Sequence, residues 1–144
     1  MKKYILGIIT LLILGACSSD DNGSQVINWN NLLGKWYLKG GTINGGAFEN
    51  YNHDCATSKD YQEFLANGNV DFVGYDVECE VNDKSSSQWS LEGNVLTISS
   101  PEFDPMVYSY EYIVESLTSN ELRLKETVEL PNGSETRIIY LTRN

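Results

Sequence analysis

The chain has 144 residues, with 10 lysines and arginines against 20 aspartates and glutamates and a formal net charge of −10. A chain this acidic is repelled by nucleic acid phosphates and by anionic headgroups, which excludes nucleic acid as an expected partner and charge as the means of holding a membrane. The length suits one small domain with one core, and a single histidine with three cysteines argues against a metal centre.

The first element in chain order is an export signal. Met1-Lys2-Lys3 is basic, Tyr4 to Leu14 is mostly apolar, and Gly15-Ala16 are small. That order makes a secretory signal peptide over residues 1–16, with an apolar run too short to cross a hydrocarbon layer of ~30 Å. Leu14-Gly15-Ala16-Cys17 resembles the lipobox of bacterial lipoproteins. The resemblance implies cleavage before Cys17, a diacylglycerol on its sulfur and an acyl chain such as palmitate on the new N-terminus. Loss of Lys2 and Lys3 leaves 8 basic residues against 20 acidic ones, so attachment is expected to rest on the acyl chains of Cys17, several of which hold where one does not. Ser18 to Gln25 contains no apolar residue, and residues 17–27 read as a flexible tether. Ser18-Ser19-Asp20-Asp21 is similar to the acidic signal that sends some Bacteroidetes lipoproteins to the outer face of the outer membrane. The same four residues read equally well as a solvated linker, so the expected location is the cell envelope, lipid-anchored to the outer membrane, with exposure at the surface one of two alternatives.

Residues 28–144 read as one all-β domain. Trp36-Tyr37-Leu38-Lys39 opens a first strand, which Gly40-Gly41 ends or bends, and the Gly- and Asn-rich stretch 44–59 reads as a loop holding a solvated His53. Tyr61 to Leu65 and Val70 to Tyr75 flank Ala66-Asn67-Gly68, a hairpin signal. With Gly68 in the left-handed region of a three-residue loop, Leu65 faces Asn69, and facing residues share the same number total as Cys55 and Cys79. The two cysteines, an even pair in an oxidising compartment, are thus expected opposite each other on an antiparallel ladder and bonded. Gln88 to Leu91 and Val95 to Ile98 flank Glu92-Gly93-Asn94, Tyr108 to Leu117 is a long aromatic and β-branched run, and turns at Ser119-Asn120 and Pro131-Asn132-Gly133 bracket two further strands. Eight strands joined mostly by short turns, with no crossover helix, make an antiparallel meander that closes as an up-and-down barrel or stacks as a two-sheet sandwich.

A resemblance favours the barrel. Leu33-Gly34-Lys35-Trp36-Tyr37 is similar to the Gly-x-Trp motif that opens the first strand of lipocalins. C-terminal to this motif lie a cysteine before a Phe-containing hairpin, a second cysteine, Trp-x-Leu, a Gly-Asn turn and a Leu-x-Ile strand, then Tyr112-Ile113 and Leu117-Thr118 before Leu122 and Leu124. This order resembles the lipocalin-like domain of Bacteroidetes lipoproteins from about Leu32 to Thr142. The resemblance implies that Trp36 packs at a closed barrel end beneath an arginine, either Arg137 or Arg143.

Catalysis finds little support. His53-Asp54-Cys55 superficially joins a base to a nucleophile, but a disulfide better explains Cys55, and Gly40-Gly41 and Gly45-Gly46 precede no phosphate-cradling helix. The expectation is a non-enzymatic monomer without metal or cofactor. Two binding readings remain. In the first, a small apolar ligand sits inside the barrel against Trp36, Leu38, Phe64, Val70, Phe72, Trp89, Leu91, Leu96 and Ile98, chosen by strand alternation. The same side chains can also simply fill the interior. In the second, the barrel is a scaffold whose loops or outer face, for instance Tyr108, Tyr110 and Tyr112, bind an envelope or host protein, although these tyrosines fit half-buried strand positions better.

Overall fold

Runs of aromatic and β-branched residues separated by turn residues leave each strand only its sequence neighbour to pair with, and the observed sheet obeys that rule. The computed structural model describes residues 27–103 and 106–144; the signal peptide, Cys17 and nearly all of the tether lie outside the described residues. Among them a short 3-10 turn, Trp29–Asn31, precedes nine strands: β1 Gly34–Ile43, β2 Glu49–Asn50, β3 Tyr61–Phe64, β4 Asn69–Tyr75, β5 Val81–Glu92, β6 Val95–Phe103, β7 Met106–Leu117, β8 Glu121–Leu130 and β9 Gly133–Thr142. Every pairing is antiparallel. The order runs β1-β3-β4-β5-β6-β7-β8-β9, and β9 returns to β1 through Tyr37↔Thr142 and Leu38↔Leu141. Eight strands therefore close a barrel, and the sandwich alternative falls away.

The two-residue β2 lies on the upper edge of β1, opposite Gly40 and Gly41, inside the stretch expected to be all loop. Gly40-Gly41 bends β1 without ending it: the pairing with β9 shifts between Leu38 and Gly40, and the strand runs on to Ile43. Gly40 has φ +149°, and a Cβ there would lie 2.1 Å from the Glu49 carbonyl oxygen, so only glycine lets β2 approach so closely.

The β3–β4 hairpin has the expected register, with Phe64 facing Val70 and Tyr61 facing Val73, and Gly68 at φ +86°. Cys55 and Cys79 are bonded, with Cα atoms 4.9 Å apart. The ladder does not reach them, however. It ends at Tyr61 and Val73, and the two cysteines sit on loops above it, Cys79 at φ +65° in a turn whose Asp76 carboxylate accepts the Glu78 and Glu80 N–H groups. The bridge therefore staples the two loops that rise from β3 and β4.

Side-chain alternation directs Leu32, Trp36, Phe64, Val70, Leu96, Val114, Leu122, Leu124 and Leu141 into one buried cluster, with Trp89, Leu91, Ile98, Leu38 and Ile139 packed against it. This cluster fills the end of the barrel where β1 begins. At the other end the wall parts. The β7–β8 ladder stops at Ile113↔Lys125, whereas β6–β7 continues to Phe103↔Met106 and β8–β9 to Leu130↔Gly133. Above Tyr112 the two strands pair only with their outer neighbours, which leaves a slot in the side of the barrel.

Candidate functional site

The closed end is capped by one cation. The Arg143 guanidinium lies 4.2 Å from the centroid of the fully buried Trp36 ring, and its Nη2 donates to the carbonyl oxygens of Asn31 and Leu33, both at 2.7 Å. Trp36 Nε1 donates to the Leu32 carbonyl at 2.7 Å, so the indole has its polar partner and its apolar packing at once. Gly34, at φ +100°, leaves room for the guanidinium, since a Cβ would stand 2.9 Å from Arg143 Nη1. Of the two arginines considered from the sequence, Arg143 therefore covers the tryptophan.

Arg137 is at the opposite end. It faces Glu126 across β8–β9, with Nη1 3.6 Å from Glu126 Oε1, and it also donates through Nε to Glu135. Near this pair the interior opens into a recess of about 240 Å³ lined by Gln62, Val70, Phe72, Ser85, Ser87, Ile98, Ser100, Tyr110 and Tyr112. Six of the nine carry a hydroxyl or amide; Val70, Phe72 and Ile98 supply an apolar patch. The Tyr112 hydroxyl is pushed up to about 12, by burial first and then by the charge of Glu126, so it stays a neutral donor across the physiological range. A second recess, about 370 Å³, lies along β1, β2 and β9 against Leu38, Ile43, Tyr51, Arg137 and Ile139. The open end thus has a hydroxyl-rich wall and a more apolar one, with Arg137 on the apolar side.

A polar knot fixes the loop beneath this mouth. Asp60, 5% exposed, accepts from the Tyr51 hydroxyl at 2.7 Å and from the Tyr75 N–H at 2.9 Å. The Asp60 N–H donates to His53 Nδ1 at 2.9 Å, which places the ring proton on Nε2 to be given to the Leu38 carbonyl at 3.0 Å. His53 is therefore not the solvated loop residue the sequence suggests: its side chain is 16% exposed and both nitrogens are engaged. With Cys55 Sγ bonded to Cys79, the His53-Asp54-Cys55 trio has neither a free base nor a thiol.

A family model for the lipocalin-like domain matches residues 32–124. The chain belongs to the lipocalin-like family. Solved structures share the fold of this lipocalin-like domain. A lipocalin-like protein from Bacteroides uniformis is 19% identical with a TM-score of 0.55, covering 76% of this chain and 96% of that one. An uncharacterized protein from Bacteroides eggerthii is 13% identical with a TM-score of 0.56, covering 76% and 98%. Lobster apocrustacyanin A1 is 16% identical with a TM-score of 0.57, covering 83% and 64%. At such identities the likeness concerns the fold alone. No curated protein matches the chain.

Within the lipocalin-like barrel, the residues singled out by alternation divide between floor and mouth. Trp36, Leu38, Phe64, Trp89, Leu91 and Leu96 belong to the packed cluster or lie against it, and Phe64 and Trp89 meet edge to face at 5.9 Å. Val70, Phe72 and Ile98 line the hydroxyl-rich recess. Tyr110 and Tyr112 share a strand face as expected, but that face looks into the recess and not outward. Alternation of apolar residues passes over Gln62, Ser85, Ser87 and Ser100. Continuing the alternation backward from Trp89 and forward from Ile98 reaches the three serines, but their small polar side chains carry no hydrophobic signal by which a strand is noticed.

Proposed function

We propose that this domain is a non-enzymatic carrier that holds one small amphipathic molecule in the open half of its barrel, displayed from the outer membrane on the lipid of Cys17. Members of lipocalin-like families are typically binding proteins, which supports the reading at the level of class. The observation that carries it is the division of the interior: a floor packed with side chains beneath a recess of about 240 Å³ that mixes Phe72, Val70 and Ile98 with hydroxyls. A ligand places its apolar body on that patch, where burial yields ~25 cal/mol per Å² before association costs, and its oxygens on Ser85, Ser87, Tyr110 or Tyr112. The wholly apolar ligand expected from the sequence would leave these hydroxyls unpaired, so a molecule with both characters fits better. The slot between β7 and β8 gives an elongated molecule lateral access.

Trp89 sits one inward position below Ser87 on β5 and reports on occupancy. Titration with fatty acids, hydroxylated sterols, quinones and porphyrins should give saturable quenching for at least one amphipathic class, weakened in Phe72→Ala and in Ser87→Phe. No saturable response from any class would remove the carrier reading.

A further inference from the structure

The outer wall of β1, β3 and β4 carries a separate concavity of about 450 Å³, on the opposite side of the sheet from the barrel interior. Three cations border it, Lys35, Lys59 and Arg143, together with Tyr37, Tyr61 and Tyr75 and, from the loop after Cys55, Thr57 and Ser58. On a chain with 10 basic residues and a net charge of −10, that gathering is out of proportion. Arg123, Lys125 and Arg137 are each ion-paired to a glutamate, whereas Lys35, Lys59 and Arg143 make no ion pair among the described residues. Glu63 lies opposite Lys35 across β1–β3, and Asn144 also lines the concavity.

What holds the lysines in place is aromatic. Lys35 Nζ lies 4.2 Å from the Tyr61 centroid, Lys59 Nζ 5.9 Å from that of Tyr37, and the two rings meet edge to face at 6.0 Å. A ring face positions an ammonium group without supplying a countercharge. The acidity of the rest of the molecule does not cancel this locally, because charges more than ~8 Å away are largely screened at physiological salt.

We propose that this concavity is a binding site for a phosphate group, gripped by Lys35 and Lys59, with hydroxyls from Thr57, Ser58 and the tyrosines completing its hydrogen bonds and Arg143 adding charge from the closed end. Phosphate fits better than carboxylate. A planar carboxylate is best taken by a guanidinium fork, and the Arg143 fork already serves two carbonyls above Trp36. Two compact ammonium charges with several hydroxyls suit a tetrahedral dianion instead.

The phosphate can belong to a soluble compound or to a lipid headgroup, and the experiment separates them. The full-length chain is titrated at constant ionic strength with inorganic phosphate and, separately, with phosphatidylglycerol vesicles, the first followed by amide NMR and the second by co-sedimentation. Saturable shifts at Lys35, Tyr37, Ser58, Lys59 and Tyr61 are expected. They should weaken about tenfold or more in Lys35→Gln/Lys59→Gln and stay unchanged in Lys39→Gln/Lys84→Gln, which removes two lysines outside the concavity. Vesicle binding lost with the same pair identifies a headgroup; a phosphate response without vesicle binding identifies a soluble phosphate, and either supports the site. The native dispersion of the variant spectra controls for folding, and each single Gln substitution, expected to weaken binding by an intermediate amount, stands in should the double variant lose it. No saturable response to either phosphate or vesicles, equal binding by both double variants, or vesicle binding that survives loss of Lys35 and Lys59 would overturn the proposal.

Discussion

At the scale of single residues, Arg143 and Arg137 show why an arginine cannot be assigned from the sequence of one strand. Both lie on the inward side of the last strand or its extension, but six residues of strand separate them by ~20 Å, so one caps the floor and the other stands at the mouth. Only the closure register decides which is which. Replacing Arg143 by Ala removes the stack on Trp36 and two charge-assisted hydrogen bonds, and should lower stability in urea by about 2 kcal/mol or more. Arg143→Lys keeps the charge over the indole but lacks the fork, and should recover less than half of that loss. Equal midpoints for the Ala variant and the wild type would show that the cap carries no stability. Two of the nine tyrosines give a second expectation. Tyr51 is pushed up to about 12 by burial and by its bond to the Asp60 carboxylate, and Tyr112 to a similar value by burial and Glu126. Their ordinary value is 10.0, so the folded state holds these protons more tightly. Stability from this source is complete below about pH 10 and is lost as pH rises toward about 12. Tyrosinate absorbance should show the late ionisation, reduced by one group in Tyr51→Phe and by one in Tyr112→Phe.

At the scale of elements, the hairpins and nearly all of β7 were readable, and the upper parts of β5 and β6 were not. Asn67-Gly68 and Gly93-Asn94 set turns whose registers follow from local chemistry, whereas the first half of β5 and the part of β6 beyond Ile98 rise past the packed floor into the mouth. There one face meets solvent and the other meets a polar recess, so the alternation that reveals a half-buried strand disappears. Only Gln88 to Leu91 is recognisable from the sequence in a strand that begins at Val81. The disulfide is a different lesson: its residue pairing followed from the hairpin count, but its place, on loops above the ladder, did not. Because the bond closes a separation of 24 residues, Cys55→Ser/Cys79→Ser should cost ~3 kcal/mol. Hydrogen exchange should localise the effect. Amides of Tyr51 to Asp60 and of Asp76 to Glu80 should lose protection while those of Trp36, Leu122 and Leu141 keep theirs, because the bridge holds the mouth and the floor is held by its own packing. Uniform loss across the sheet would mean that loop and barrel unfold as one unit.

At the scale of the whole molecule, the antiparallel meander was legible from the short turns, its closure only through the resemblance of the Gly34-x-Trp36 motif and the order after it, and the occupancy of the interior not at all. Alternation shows which side chains point inward; it does not show whether they meet in the middle. In the floor they do, since Trp36, Phe64, Leu96, Leu122 and Leu141 are large and reach across. In the mouth Ser85, Ser87 and Ser100 are too short to do so, and the recess is what they leave. A sequence selected only for stability would be expected to fill that space, so the serines make an informative test. Ser87 faces Val70 across β4–β5, and Leu in its place would bury added apolar surface against Val70, Phe72 and Ile98. Ser87→Leu should therefore raise stability by ~1 kcal/mol, within the range for burying a leucine side chain, and at the same time reduce ligand capture by occupying the recess. Ser86→Leu is the matching control, because Ser86 points outward and donates to Asp71 at 2.7 Å; it should lose a little stability and leave binding intact. The pair of measurements distinguishes a binding cavity from a packing defect. A gain in stability with unchanged binding would place the ligand elsewhere on the molecule, and a loss of stability would mean that the serines are required by the fold itself.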